Sequence, residues 1–158
     1  MATNGNRIER IQDVLRSLRA VSPDIVGSAM VSTDGFIIAS LLPAEVDEEL
    51  VSGMAAALLG VGERIAGELM GGTMEQTYVR GKLGYVILNA VGEEALLIVL
   101  TTPDAKLGLV FLDIKRRVHE LAKTQPRGEA SEITGPLRPP ASAFSDWRPP
   151  PEIPSTHS

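Results

Sequence analysis

Residues 46–70, VDEELVSGMAAALLGVGERIAGELM, decide the reading of this chain. Leu50, Met54, Leu58, Val61, Ile65 and Leu69 recur at three- and four-residue steps, and at about 100° per residue they fall on one stripe of a helix. That stripe is expected to pack on the chain's own sheet. On roughly the opposite side stand Gly53, Ala56, Gly60 and Gly67, with Ala55, Leu59 and Ala66 between them, where a surface helix would be polar. A glycine inside a helix costs about 1 kcal/mol relative to alanine, so three spaced by seven require a compensating gain. The close approach of a second backbone is the simplest one. The helix is therefore expected to be buried twice, once by its own domain and once by a second chain.

Outward from this helix the pattern is regular. Residues 7–20 place Ile8, Ile11, Leu15 and Leu18 on one face and Arg10, Asp13, Arg16 and Ser17 elsewhere, an amphipathic helix. Asn6 is read as its cap, with Glu9 in the capping-box position. Ser22-Pro23 closes it. Residues 25–31 and 36–41 are short β-branched runs joined by Ser32-Thr33-Asp34-Gly35, where Asp-Gly supplies a tight hairpin turn, and Pro43 ends the second strand. Asp47-Glu48-Glu49 stabilise the N-terminus of the long helix, and Gly71-Gly72 terminates it.

Residues 73–82 are polar and β-prone, with Thr73, Glu75, Thr77 and Val79 on one side and Met74, Gln76, Tyr78 and Arg80 on the other. This is the pattern of an edge strand. Residues 85–91 form the next strand, Gly92-Glu93 a turn, and residues 95–101, apolar almost throughout, a central strand covered on both faces. Residues 105–123 carry Leu107, Phe111, Ile114, Val118 and Leu121 at helical spacing, with Lys115-Arg116-Arg117 towards the C-terminal end. The order α-β-β-α-β-β-β-α predicts a three-layer α+β domain, a five-stranded antiparallel sheet with helices on both faces. Its boundaries are read as an arm at residues 1–6, the domain at 7–125 and a proline-rich tail at 126–158, which holds eight of the 11 prolines. Such a tail is expected to be extended and mobile.

With 158 residues, 44% of them hydrophobic, the chain supplies one core. A net charge of −5 offers no basic field for phosphates, which argues against nucleic acid or an anionic membrane as a partner. There is no cysteine, hence no disulfide framework or thiolate metal site. The short polar start resembles no leader, and no segment approaches the roughly 20 apolar residues of a membrane span, so a cytoplasmic protein without membrane insertion is expected.

The inventory for catalysis is thin. His119 lies on the last predicted helix and His157 one residue from the end, and neither joins a carboxylate cluster with zinc spacing. Gly60-Val61-Gly62 lies mid-helix with Ile65 where a dinucleotide fingerprint needs glycine, and Gly81-Lys82 is followed by Leu83 rather than Ser or Thr. No catalytic, cofactor-binding or metal-binding residue is therefore assigned, and none of these groups makes the chain an enzyme. In the tail, Phe144 and Trp147 beside Arg-Pro runs form a candidate docking motif, since an aromatic anchor in an extended strand fills a partner's pocket.

Several segments in order resemble the roadblock/dynein light chain 7 family across residues 7–123. These are Gly27 to Ser40 (GSAMVSTDGFIIAS), Met54-Ala55-Ala56-Ala57-Leu58-Leu59, Glu75-Gln76-Thr77-Tyr78-Val79, Gly84-Tyr85-Val86-Ile87-Leu88 and Asp104-Ala105-Lys106-Leu107-Gly108-Leu109-Val110. The resemblance implies a roadblock/longin/profilin-like fold and a homodimer made by the long helix and the third strand, with one ten-stranded sheet. The implied interface comprises Gly53, Ala56, Gly60, Glu63 and Gly67 on the helix and Glu75, Gln76, Thr77 and Tyr78 on the strand. The bacterial MglB-like members imply a partner, a small Ras-like GTPase of the MglA type, whose hydrolysis or nucleotide state is modulated without a catalytic arginine from the regulator. The alternative is a scaffold or adaptor that assembles a complex through its dimer surface and tail; a weaker third is a ligand sensor.

Overall fold

The structure is a computed structural model that describes residues 3–125. The proline-rich stretch, with Phe144, Trp147 and His157, lies outside the described residues.

The elements are α1 (Thr3–Val21), β1 (Ile25–Ser32), β2 (Ile37–Leu41), α2 (Glu48–Ile65), β3 (Gln76–Gly81), β4 (Gly84–Val91), β5 (Ala95–Thr101) and α3 (Leu107–Ala122). The strands form one antiparallel sheet in the order β2-β1-β5-β4-β3. The expected element order and the central place of β5 are both observed. Ala95 to Val99 are buried at every position, as a strand covered on two faces requires.

Local chemistry sets the joints. Ser32 N–H bonds to the Phe36 carbonyl at 2.8 Å across the β1–β2 turn, and Gly35 takes the positive φ of 91° that the Asp-Gly pair foretold. Asp47 caps α2, its Oδ1 accepting from the N–H of Glu49 at 3.0 Å and of Leu50 at 3.3 Å. α2 then widens into a π-helical turn (Ala66–Met70), where the Ala66 carbonyl accepts the N–H groups of both Gly71 and Gly72. Gly71 is left-handed, at φ 73°. At the other end of the chain, α1 starts at Thr3 rather than at residue 7, so Asn6 is an interior helical residue and not a cap. The helix is held by Ile11, Leu15 and Leu18, all fully buried, and the Arg7 guanidinium donates to Gln125 Oε1 at 3.1 Å; extending such an anchored helix by a turn costs little.

Each face of the sheet has its own core. On one, α1 and α3 place Ile11, Leu15, Leu18, Ile114 and Leu121 over Met30, Ile87, Leu97 and Val99. On the other, α2 lies alone, with Ala55, Leu59 and Ala66 over Val31, Leu88, Leu96 and Ile98. This reverses the expectation for α2. Of the aliphatic stripe only Leu58 packs towards the sheet: Leu50 is 58% exposed, Val61 56% and Ile65 47%, with Met54 and Leu69 equally open. The side that meets the sheet is the row Ser52, Ala55, Leu59, Gly62 and Ala66. The strands already fill the layer with large branched side chains, so only a small-residue face lets the helix backbone come close enough to pack without overfilling it.

The continuous helix from Glu48 to Met70 has 23 residues and is long and apolar enough to cross a bilayer, which corrects the sequence expectation on length. One row of it is seated on the sheet, and its ends lead from β2 at one sheet edge to β3 at the other.

Candidate functional site

Two features of this architecture are unfinished as they stand. The first is the outward side of α2, where the aliphatic stripe and the glycines together present an apolar surface. A Cβ built on Gly53 or Gly60 would meet no atom within 4 Å, so these glycines are not spacers against the chain's own sheet. Gly62 does perform that service: a Cβ there would collide with the Met74 Sδ, and Met74 is buried over it. Large exposed apolar patches are a common mark of interaction surfaces.

The second feature is the free edge of β3. β3 pairs only with β4, from Gln76 opposite Asn89 to Gly81 opposite Gly84. The Ala90 N–H bonds to the Glu75 carbonyl at 2.8 Å, so by the alternation of an antiparallel ladder the backbone groups of Gln76, Tyr78 and Arg80 point away from β4. An edge with unsatisfied donors and acceptors is a template for another strand.

The structure distributes the expected interface residues in three ways. Gly53, Gly60 and Gly67 are exposed and Ala56 is partly buried, its Cβ near the β1–β2 turn at Gly35. Glu63 is turned inward: its Oε2 accepts the Met74 N–H at 3.2 Å and so ties the approach to β3 onto α2. On β3, Thr77 faces the α2 side, opposite Leu88, whereas Tyr78 lies on the other face, 5.7 Å from the Phe111 ring and 6.2 Å from Tyr85. Glu75 and Gln76 are exposed, and the Gln76 amide donates to Asn89 Oδ1 at 2.9 Å. Tyr78 thus shares the edge with the helix residues but not their layer.

Sequence reasoning missed Leu50, Met54, Val61, Ile65 and Leu69 as members of the outward surface. The signal was present as charge: the row that meets the sheet carries no charged residue after Glu48, while Arg64 and Glu68 flank the aliphatic stripe and pair with each other at 3.5 Å. His119 is exposed on α3. Among the described residues, no group of three His, Cys, Asp or Glu is placed to hold a metal ion.

A five-stranded antiparallel sheet with two helices on one face and one on the other defines the fold class. The Roadblock/LC7 domain pattern matches residues 11–101, more than half of the chain, and the chain belongs to that family. It is 43% identical over 97 residues to the Uncharacterized protein MJ1340 of Methanocaldococcus jannaschii, covering 61% of this chain and 84% of that one. Among solved structures it is similar to Myxococcus xanthus MglB, with a TM-score of 0.69 at 21% identity over 77% of this chain and 95% of the other. The gliding protein MglB of Thermus thermophilus gives 0.67 at 20% identity over 75% and 90%. The fold is the expected roadblock type.

Proposed function

We propose that this chain is a homodimeric regulator that binds a small Ras-like GTPase and modulates its hydrolysis or nucleotide state. The observation that carries the reading is the coincidence of the apolar outer face of α2 with the open β3 edge. A twofold operation would pack α2 on its copy and pair β3 with β3, satisfying both surfaces at once and extending five strands to ten. Likeness to MglB supports the GTPase as the further partner.

The regulation proposed is a population shift. A dimer surface that binds one nucleotide state of the GTPase better than the other moves the equilibrium by the ratio of the two affinities and needs no reacting group of its own. In this reading, as the family resemblance implies, the regulator contributes no catalytic arginine and the GTPase's own residues perform the hydrolysis; Arg64, the single arginine of α2, pairs with Glu68.

The test is GTP turnover and nucleotide exchange of a candidate GTPase, purified from the same cells, with and without this protein. A change of either rate that saturates at a fixed ratio supports the proposal; unchanged rates and no binding exclude it. The alternative, an adaptor acting through its tail, separates on removal of residues 126–158: an adaptor loses its partner, whereas a regulator working through α2 and β3 keeps it.

A further inference from the structure

Beside the α2 surface and the β3 edge, the domain has a groove at the end of the sheet where β4 runs past the start of β3. Its volume is about 910 Å³, within the range of sites that hold a ligand. Its lining wraps around the end of the sheet, with Leu59, Met74 and Leu96 on the α2 face and Phe111 and Val118 on the α3 face. Its charged residues are Lys115 on α3, Glu63 on α2, Glu75 just before β3 and Glu93 in the β4–β5 turn. Glu63 is engaged with the Met74 backbone, but Lys115, Glu75 and Glu93 are exposed and enter no ion pair among the described residues.

The described chain stops at the lip of this groove. Gln125 lies against Gly92, 3.8 Å from where a Cβ would stand, and Gly92 and Glu93 belong to the groove. The chain continues for 33 residues, and Trp147 stands 22 residues beyond Gln125. At about 3.3 Å per extended residue that is roughly 70 Å of reach, far more than a return to the adjacent lip requires. Around the tryptophan the sequence is Phe144-Ser145-Asp146-Trp147-Arg148, an aromatic pair with an acid before and a base after the second ring. The groove offers the complement: apolar side chains with one free base, Lys115, and two free acids, Glu75 and Glu93.

We propose that this groove is a peptide-binding site whose occupant is the chain's own segment 144–148. The match is one of chemistry: an aromatic pair for the apolar lining at Phe111 and Val118, an acid for Lys115, and a base for Glu75 and Glu93. Tethering raises the local concentration of the segment to about millimolar, so even a contact of modest intrinsic affinity is occupied. The prolines at 139–140 and 149–151 stiffen the flanks and lower the ordering cost. The inference does not rest on the GTPase reading, because the site and its occupant belong to one chain, although Glu63, Glu75 and Gln76 are shared between the groove and the proposed dimer surface.

Trp147 is the only tryptophan, so its fluorescence reports on this segment alone. In the full chain, acrylamide quenching of Trp147 is expected to be at least about threefold weaker than in a free peptide of residues 136–151, and unchanged on dilution, as intramolecular binding demands. Val118→Lys should return quenching to the peptide value. Arg148→Glu, which alters no described residue, should do the same, and adding Glu75→Arg and Glu93→Arg should restore protection. Quenching equal to that of the free peptide in the parent chain would overturn the proposal. So would protection that survives both Val118→Lys and Arg148→Glu, or protection lost on dilution, which would place the segment on another copy.

Discussion

The two faces of the sheet are covered by helices of opposite design. α1 and α3 turn their large residues inward, and Leu15, Leu18, Ile114 and Leu121 lose all contact with solvent. α2 turns its small residues inward and leaves Leu50, Met54, Val61, Ile65 and Leu69 in the open. The first pair of helices completes a core within one chain. The single helix opposite forms a thinner inner core and leaves these five apolar side chains about half-exposed, the feature on which the proposed dimer rests.

Substitutions can break this contrast, and the largest effect belongs to the closed face. Leu15→Ala empties a fully buried site and should cost about 2–5 kcal/mol in chemical denaturation. The same truncation at Met54 should stay within about 0.5 kcal/mol for a monomer, since a half-exposed side chain has little to lose. On α2 itself, two glycines two residues apart should behave differently. Gly62→Leu drives a side chain into Met74 and should destabilise the fold by about 1–3 kcal/mol. Gly60→Leu projects into open space, so the thermal midpoint of the monomer should hold while light scattering shows loss of the dimer or aggregation. An unchanged dimer mass for Gly60→Leu would remove this face from the interface.

Smaller effects sharpen the assignment of the edge. Tyr78→Pro deletes an outward N–H and leaves the ladder to β4 intact, so it should weaken self-association by about tenfold in analytical ultracentrifugation, the scale of one or two lost hydrogen bonds. The smallest effect is expected at Arg64→Ala, which removes an exposed ion pair and should leave any stimulation of GTP hydrolysis within about twofold. A loss of orders of magnitude there would identify a catalytic arginine and reverse the proposed division of labour.

Most of the fold was legible because local signals coincided with tertiary ones. Asp34-Gly35 gave the hairpin turn, Asp47 the start of α2, Gly71-Gly72 its end, and the unbroken apolar run of β5 its place at the centre. The orientation of α2 was not, because a helix with apolar residues on every side contains two stripes and periodicity cannot choose between them. Sheet packing chose the smaller one. The start of α1 also escaped, since polar residues next to an anchored helix continue it without a sequence signature. Of the candidate site, the outward glycines and the strand edge were visible; the aliphatic residues beside them had been assigned to the wrong layer, and Glu63 and Tyr78 proved to have partners within the chain.

The π-helical turn at Ala66–Met70 has a consequence for how such a domain tolerates insertions and deletions. A π turn holds one surplus residue relative to a regular helix. Excising a single residue there would let the coil close to ordinary pitch with its flanks in place, so Thr77 and Val79 would keep their side of the sheet. The same deletion in β3 itself would exchange Thr77 and Val79 with Tyr78 and Arg80. The loosened coil is thus a length reserve beside the free edge, and loss of one residue should be better tolerated within the turn than in the strand.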